Sequence, residues 1–296
     1  MMIGLVETTK ARQLLYQLNA LLEQELRCQP RASGLRLIET AHDNGLRMTA
    51  RLRDFEVKDL LSLSQFFGFN TETFSLAVNF LDRFLSIMKV QPKHLGCVGL
   101  SCFYLAVKAT EEERNIPLAT DLIRISQYRF TVSDMMRMEK IVLEKLYWKV
   151  KTTTAFQFLQ LYHSLTYENL SCERRKHLNF ERLEAHLKAC HCRIMFSKAK
   201  PSVLALSILA LDIEEQKLLE LEEVIEYLQI HSKTNSKDLT FWKELVLKCL
   251  IEYASNKCSK PNVQKLKWIV SGRTAWPLKH SYYKISRLPT IPETGL

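Results

Sequence analysis

At 296 residues, the chain is long enough for two domains of ordinary size. Its 47% hydrophobic content, with only eight glycines and eight prolines, describes compact helical material rather than low-complexity filler. The net charge of +10 points at first to nucleic acid, but its distribution argues otherwise. From Ala254 onward there are eight Lys/Arg and one acidic residue, whereas the preceding 253 residues hold 34 basic against 31 acidic. The body is near neutral and the tail is basic.

No apolar run reaches the roughly 18 residues that a membrane span needs. The opening MMIGLVETTK lacks the basic start and apolar core of a signal peptide, so secretion is not expected. The eight cysteines include Cys97, Cys102 and Cys249 inside apolar helical patterns, where a free thiol acts as a small hydrophobe. A chain with a core of this size does not need disulfides, which fits a reducing nucleus and cytoplasm.

Helical periodicity runs through most of the chain, with no strand or hairpin signal. Leu14, Leu15, Leu18, Leu21 and Leu22 form one stripe and predict a helix over about Thr9 to Glu25. Pro30 and Gly34 are then expected to loosen the chain. From Phe74, apolar residues recur on two faces as far as Met88, so that helix should be deeply buried. Pro92 breaks the pattern, and a helix from about His94 to Thr110 carries no charge until Lys108. An uncharged helix in a soluble protein has to be surrounded by others. A short helix near Leu118 to Ser126 follows, and Thr131-Val-Ser-Asp134 reads as a capping box opening the last of the set.

The second half repeats this plan. Thr154 to Tyr162 begins it, and a helix with Leu183, Leu187 and Cys190 precedes a break at Lys200-Pro201. SVLALSILALDI is again apolar on all sides, with Pro201 suited to its first turn. A closing helix carries Trp242, Leu245, Val246, Cys249 and Tyr253. The buried helices begin near Leu95 and Pro201 and the closing ones near Val132 and Leu239, which indicates an internal duplication. The expected organisation is an N-terminal helix and linker (1–45), two helical units (46–150 and 151–253) and a basic, largely irregular tail (254–296), with one short helix near Val263 to Ile269.

Leu76 to Ser86, LAVNFLDRFLS, and Leu105 to Glu112, LAVKATEE, resemble the heart of a cyclin box at that family's spacing. Asp82-Arg83-Phe84-Leu85-Ser86 and Met136-Arg137-Met138-Glu139 add to the resemblance, and the N-terminal segment is most similar to the G-type cyclins. The resemblance implies an all-α protein with two tandem five-helix cyclin folds. It implies a non-catalytic regulatory subunit in cell-cycle and growth control that binds a cyclin-dependent or related kinase. Regulatory subunits of a type-2A phosphatase are a second implied partner. In such proteins a lysine ending the buried helix and a glutamate of the closing helix meet the kinase. These are Lys108 and Glu139 here, with Glu111 beside them.

Departures from the pattern matter. Ala109 and Thr110 stand where the family carries an aromatic and an acid, which removes apolar area from a binding hot spot. The residues aligned with the family's substrate-docking patch are Leu52, Arg53, Phe55, Glu56, Asp59 and Gly96. Two acids there predict that it does not take the usual basic-then-leucine peptide.

Other constellations point to ordinary structure. Cys190-His191-Cys192 with His186 lacks four converging ligands, so no metal is expected, and Cys190 reads as buried among surface residues. No phosphate-binding glycine loop, HExxH or GxSxG occurs, so neither cofactor nor catalysis is expected. The alternative is a cyclin-fold, transcription-factor-like protein that binds nucleic acid through its basic tail. The near-neutral body argues against it.

Overall fold

The computed structural model describes residues 9–42 and 45–255, and among them there are only helices, turns and loops. The expected tail, with its short helix near Val263 to Ile269, lies outside the described residues from 256 onward. Contacts divide the described chain into two compact units: residues 30–150, and residues 9–29 together with 151–255.

The first unit holds α2 (Ala32–Glu39), α3 (Ala50–Phe67), α4 (Thr71–Ile87), α5 (Leu95–Thr110), α6 (Ala119–Ser126) and α7 (Val132–Lys145). α5 is its axis, packed on α4, α7 and α3. The sequence explains why: Val98, Leu100, Cys102, Phe103, Ala106 and Val107 cover every side of α5 and all are buried. α4 contributes Phe74, Ala77, Phe80, Leu81 and Phe84 to the same core. Thr131 caps α7 in the predicted capping box, accepting from the Asp134 N–H at 3.1 Å while the Asp134 carboxylate accepts from the Thr131 N–H at 3.0 Å.

The segment from Pro30 departs from expectation. Instead of loosening the chain, it forms α2, which packs on α4 through the fully buried Leu35 and through Ile38. Gly34 permits this, because a Cβ there would collide with the Ser86 carbonyl. The glycine is a contact point rather than a breaker.

The second unit holds α1 (Thr9–Glu25), α8 (Ala155–Tyr167), α9 (Phe180–His191), α10 (Pro201–Glu215), α11 (Glu222–His231) and α12 (Ser236–Ala254). α10 is the counterpart of α5, buried along nearly its whole length and packed on α8, α12 and α9. α1 packs on α8 and α10 through Leu15 and Leu18. At its end the buried Glu25 accepts from the Ser202 N–H at 2.6 Å. A side chain of α1 thus serves a free N–H in the first turn of α10, where Pro201 has none to offer. Arg182 on α9 fixes Asp212 on α10 with two hydrogen bonds of 2.5 and 2.8 Å.

Candidate functional site

The polar residues of the Asp82–Ser86 word each carry a tertiary contact. Arg53 on α3 donates to both oxygens of Asp82 on α4, at 2.8 and 2.6 Å, and neither side chain reaches solvent appreciably. Burial alone would pull the proton from this guanidinium; the Asp82 carboxylate overrides that and raises its pKa. Arg83 donates to the carbonyls of Lys149 and Leu146, at 3.0 and 3.5 Å, and so shapes the exit of α7. Ser86 accepts from the Arg31 N–H at 3.0 Å, tying the entry of α2 to α4.

Lys108 ends α5, and its ammonium is ion-paired to the Glu139 carboxylate on α7. It also lies 4.7 Å from the centre of the Tyr104 ring. The lysine side chain is a third exposed, the glutamate nearly covered. Oε1 of Glu139 takes the lysine, while its buried Oε2 has no hydrogen-bond partner among the described residues. A buried carboxylate oxygen without a donor is uncommon in folded proteins, because it forfeits its hydration with nothing in return. The sequence-selected pair therefore sits together at the rim of the α5–α7 packing with one acceptor unused.

Glu111 lies just past α5 and faces another way. It accepts from the Asn70 N–H at 3.0 Å and from the Thr73 hydroxyl, so it caps the start of α4. The Thr110 hydroxyl also meets that of Thr73, at 2.8 Å. Ala109 is exposed, as are Glu112 and Glu113.

The six residues aligned with a docking patch do not share one surface. α3 turns Arg53 and Glu56 into the core, leaves Leu52 half-buried, and exposes Phe55 and Asp59. Phe55 lies between Arg51 and Lys58, whose cationic groups are 5.6 and 5.5 Å from its ring centre. Glu56 accepts from the Tyr128 hydroxyl at 2.7 Å, and its other oxygen has no hydrogen-bond partner among the described residues. Burial pushes its pKa up to about 8, the tyrosine hydrogen bond opposing this and Asp59 adding to it. The two glycines of α5 make the room: a Cβ at Gly99 would strike the Glu56 carboxyl, and one at Gly96 the Tyr128 ring.

Sequence reasoning missed several exposed residues on and just after α7. Met136, one turn before Glu139, is half exposed. Tyr147 and Trp148 are exposed and both left-handed, with φ of 54° and 59°. Two adjacent non-glycine residues in that region signal a special turn, and no composition rule finds them. Cys192 was also misjudged: it is buried like Cys190, because α9 stops at His191 and the chain turns inward. No group of His, Cys, Asp or Glu able to hold a metal occurs among the described residues.

Comparison with known proteins places this geometry. Residues 17–151 match the model of the cyclin N-terminal domain. The chain is 80% identical over 292 residues to human (Homo sapiens) Cyclin-G1, covering 99% of each chain. It is 79% identical over 289 residues to Cyclin-G1 of Mus musculus, covering 98% of each. Human Cyclin-G2 is 54% identical over 283 residues, 96% of this chain and 82% of that one. Among solved structures, a viral cyclin from herpesvirus saimiri superposes with a TM-score of 0.62 at 19% identity, covering 80% of this chain and 99% of that one. A chain of the CAK complex of Chaetomium thermophilum bound to ATP-gamma-S gives 0.54 at 15% identity, covering 98% and 100%. At those identities the two structures speak for the fold alone. With the buried α5 and α10 axes and near-full-length identity to G-type members, the chain belongs to the cyclin family and has its regulatory character.

Proposed function

We propose that this protein is a non-catalytic subunit that binds a cyclin-dependent or related protein kinase through the rim of α5 and α7. The observation that carries the reading is the unused Glu139 oxygen beside the partly exposed Lys108. A partner presenting an N–H or hydroxyl would satisfy that acceptor, and Met136 adds exposed apolar area one turn away. In kinases, a helix-borne glutamate must be held against the phosphate-binding lysine, and a partner packed on that helix can hold it there. The subunit would contribute packing and anchored polar contacts but none of the phosphoryl-transfer chemistry. Glu111, turned to the start of α4, would support this rim indirectly by fixing the end of α5.

Regulatory subunits of a type-2A phosphatase are the second partner class in this proposal, and nuclear and cytoplasmic residence goes with it. The α3 patch is proposed not to dock basic-then-leucine peptides, since Glu56 and Arg53 are turned inward and Tyr128 covers Gly96. The nucleic-acid alternative draws only on the charge of residues 254–296 and gains nothing from the helical units.

Affinity capture from cells with wild type, Lys108→Ala and Glu139→Ala in parallel tests the reading. Kinase recovery should fall in both variants. Equal recovery by all three would refute the α5–α7 rim, and recovery of phosphatase subunits alone would replace the kinase reading with a scaffold one.

A further inference from the structure

The outer face of α12 differs from that of every other described helix. Phe241, Leu247 and Ile251 are 54%, 39% and 52% exposed, and no other described helix exposes more than one large apolar side chain. The inner face is ordinary, with Leu239, Val246 and Cys249 buried in the core of the second unit. Three large apolar groups left in water on one helix forfeit the stabilisation that a cover would give, and such a patch marks an interaction site.

The chemistry along that face is ordered. Phe241, Glu244, Lys248 and Ile251 are all exposed, and their steps of three, four and three residues keep them in one line along the helix. Reversing the line about Val246 exchanges its two apolar ends and exchanges its acid with its base. An antiparallel copy of α12, related by a two-fold axis level with Val246, therefore sets Phe241 against Ile251 of the second copy and Glu244 against Lys248 of the second copy. Leu247, on one flank of the line, comes beside its own counterpart near the axis. The charges next to the line are already served within the chain, Lys243 by Glu214 and Glu252 by Arg193, each at 2.5 Å. Neither Glu244 nor Lys248 forms an ion pair with another described residue, although their spacing would permit one within the helix.

We propose that α12 pairs antiparallel with α12 of a second copy of this chain, through Phe241, Leu247 and Ile251 and two reciprocal Glu244–Lys248 contacts. A two-fold contact uses the same patch on both sides, so the patch has to be complementary to itself, as this line is. Burial of the apolar residues supplies the affinity, and the charge pairs reject the parallel arrangement and shifted registers. One helix from each side makes a small interface, so the dimer is reversible and forms in the micromolar range. The contact is independent of the kinase reading, which concerns the first unit, and it brings two first units into one assembly.

Sedimentation velocity of the full chain from about 1 to about 100 µM, a range that brackets small interfaces, tests this. The wild type should pass from monomer to dimer across that range. The double variant Leu247→Ser, Ile251→Ser should stay monomeric, with the melting midpoint of the wild type at the lowest concentration. Glu244→Lys sets like charges against each other at both contacts and should weaken the dimer at least about tenfold. The exchange Glu244→Lys, Lys248→Glu restores opposite charges across the two-fold axis and should recover the dimer, which cover by another segment of the chain would not explain. A wild type that stays monomeric at the highest concentration overturns the proposal. So does a dimer that Glu244→Lys leaves intact, or one that the exchange fails to recover.

Discussion

Arg53 and Asp82 form a two-hydrogen-bond pair inside the first unit, sealed from solvent on both sides. It joins α3 to α4 at the point where the family's substrate-docking patch would lie. The arginine of that patch is therefore a structural bolt.

Removing one partner of such a buried pair costs about 3–5 kcal/mol, an upper bound for Asp82→Asn because Arg53 keeps Asp54 at 3.2 Å. Asp82→Asn and Arg53→Ala should each lower the stability of the first unit by that order. Hydrogen exchange of the α3 and α4 amides in increasing urea is the measurement, because a global midpoint would mix two units. A loss below about 1 kcal/mol would show that the pair contributes little net.

Glu56 gives a pH dependence whose sign is opposite to that of a salt-bridged acid. Its pKa is raised from 4.5 in the unfolded chain to about 8 in the fold, so the folded state keeps a proton that the unfolded state releases. Stability therefore falls as pH rises between those two values, by up to about 1.4 kcal/mol per pH unit. Glu56→Gln, which can still accept from Tyr128, should be more stable than wild type by about 2–4 kcal/mol at pH 7.5. The difference should vanish near pH 4, where both side chains are neutral. Parallel melting of the two proteins across this range checks it.

Lys108 has a structural effect apart from any partner. Lys108→Ala removes the ion pair to Glu139 and leaves a nearly covered carboxylate, at a cost of about 1–3 kcal/mol. Pairing Lys108→Ala with Glu139→Gln should recover most of that stability, as thermal denaturation would reveal. Loss of kinase capture in the restabilised double variant would then report recognition rather than folding.

Gly34 is predicted to be intolerant. Gly34→Ala forces a methyl group into the Ser86 backbone, so α2 has to shift off α4 at a cost of about 1–3 kcal/mol. Proteolysis in the 30–49 segment should accelerate in the variant. An unchanged cleavage rate would show that α2 contributes little to the unit.

Much of the helical plan was legible because apolar periodicity and capping chemistry are local. α1 falls on Thr9–Glu25 and α6 ends at Ser126, as the leucine stripe and apolar spacing indicate. α10 opens at Pro201, where proline's missing N–H costs nothing. α2 was not legible, since Pro30 and Gly34 read as breakers until the Ser86 backbone is seen against Gly34. Lys108 and Glu139 were singled out from resemblance as partner-facing residues, but their pairing with each other was not legible, because 31 residues of sequence separation hide any contact.

What the amino-acid order determined by itself was the set of buried surfaces: α5 and α10 carry apolar groups all round, so each had to become the axis of a helical unit. Only the tertiary structure decided what the polar residues do. It made Arg53 a core cation, gave Glu56 a proton near neutral pH, turned Glu111 into a cap and left one Glu139 oxygen unused. The physical reason is range. Apolar burial follows from a residue's own face on its helix, whereas the state of a charge depends on desolvation and on partners brought together by the fold.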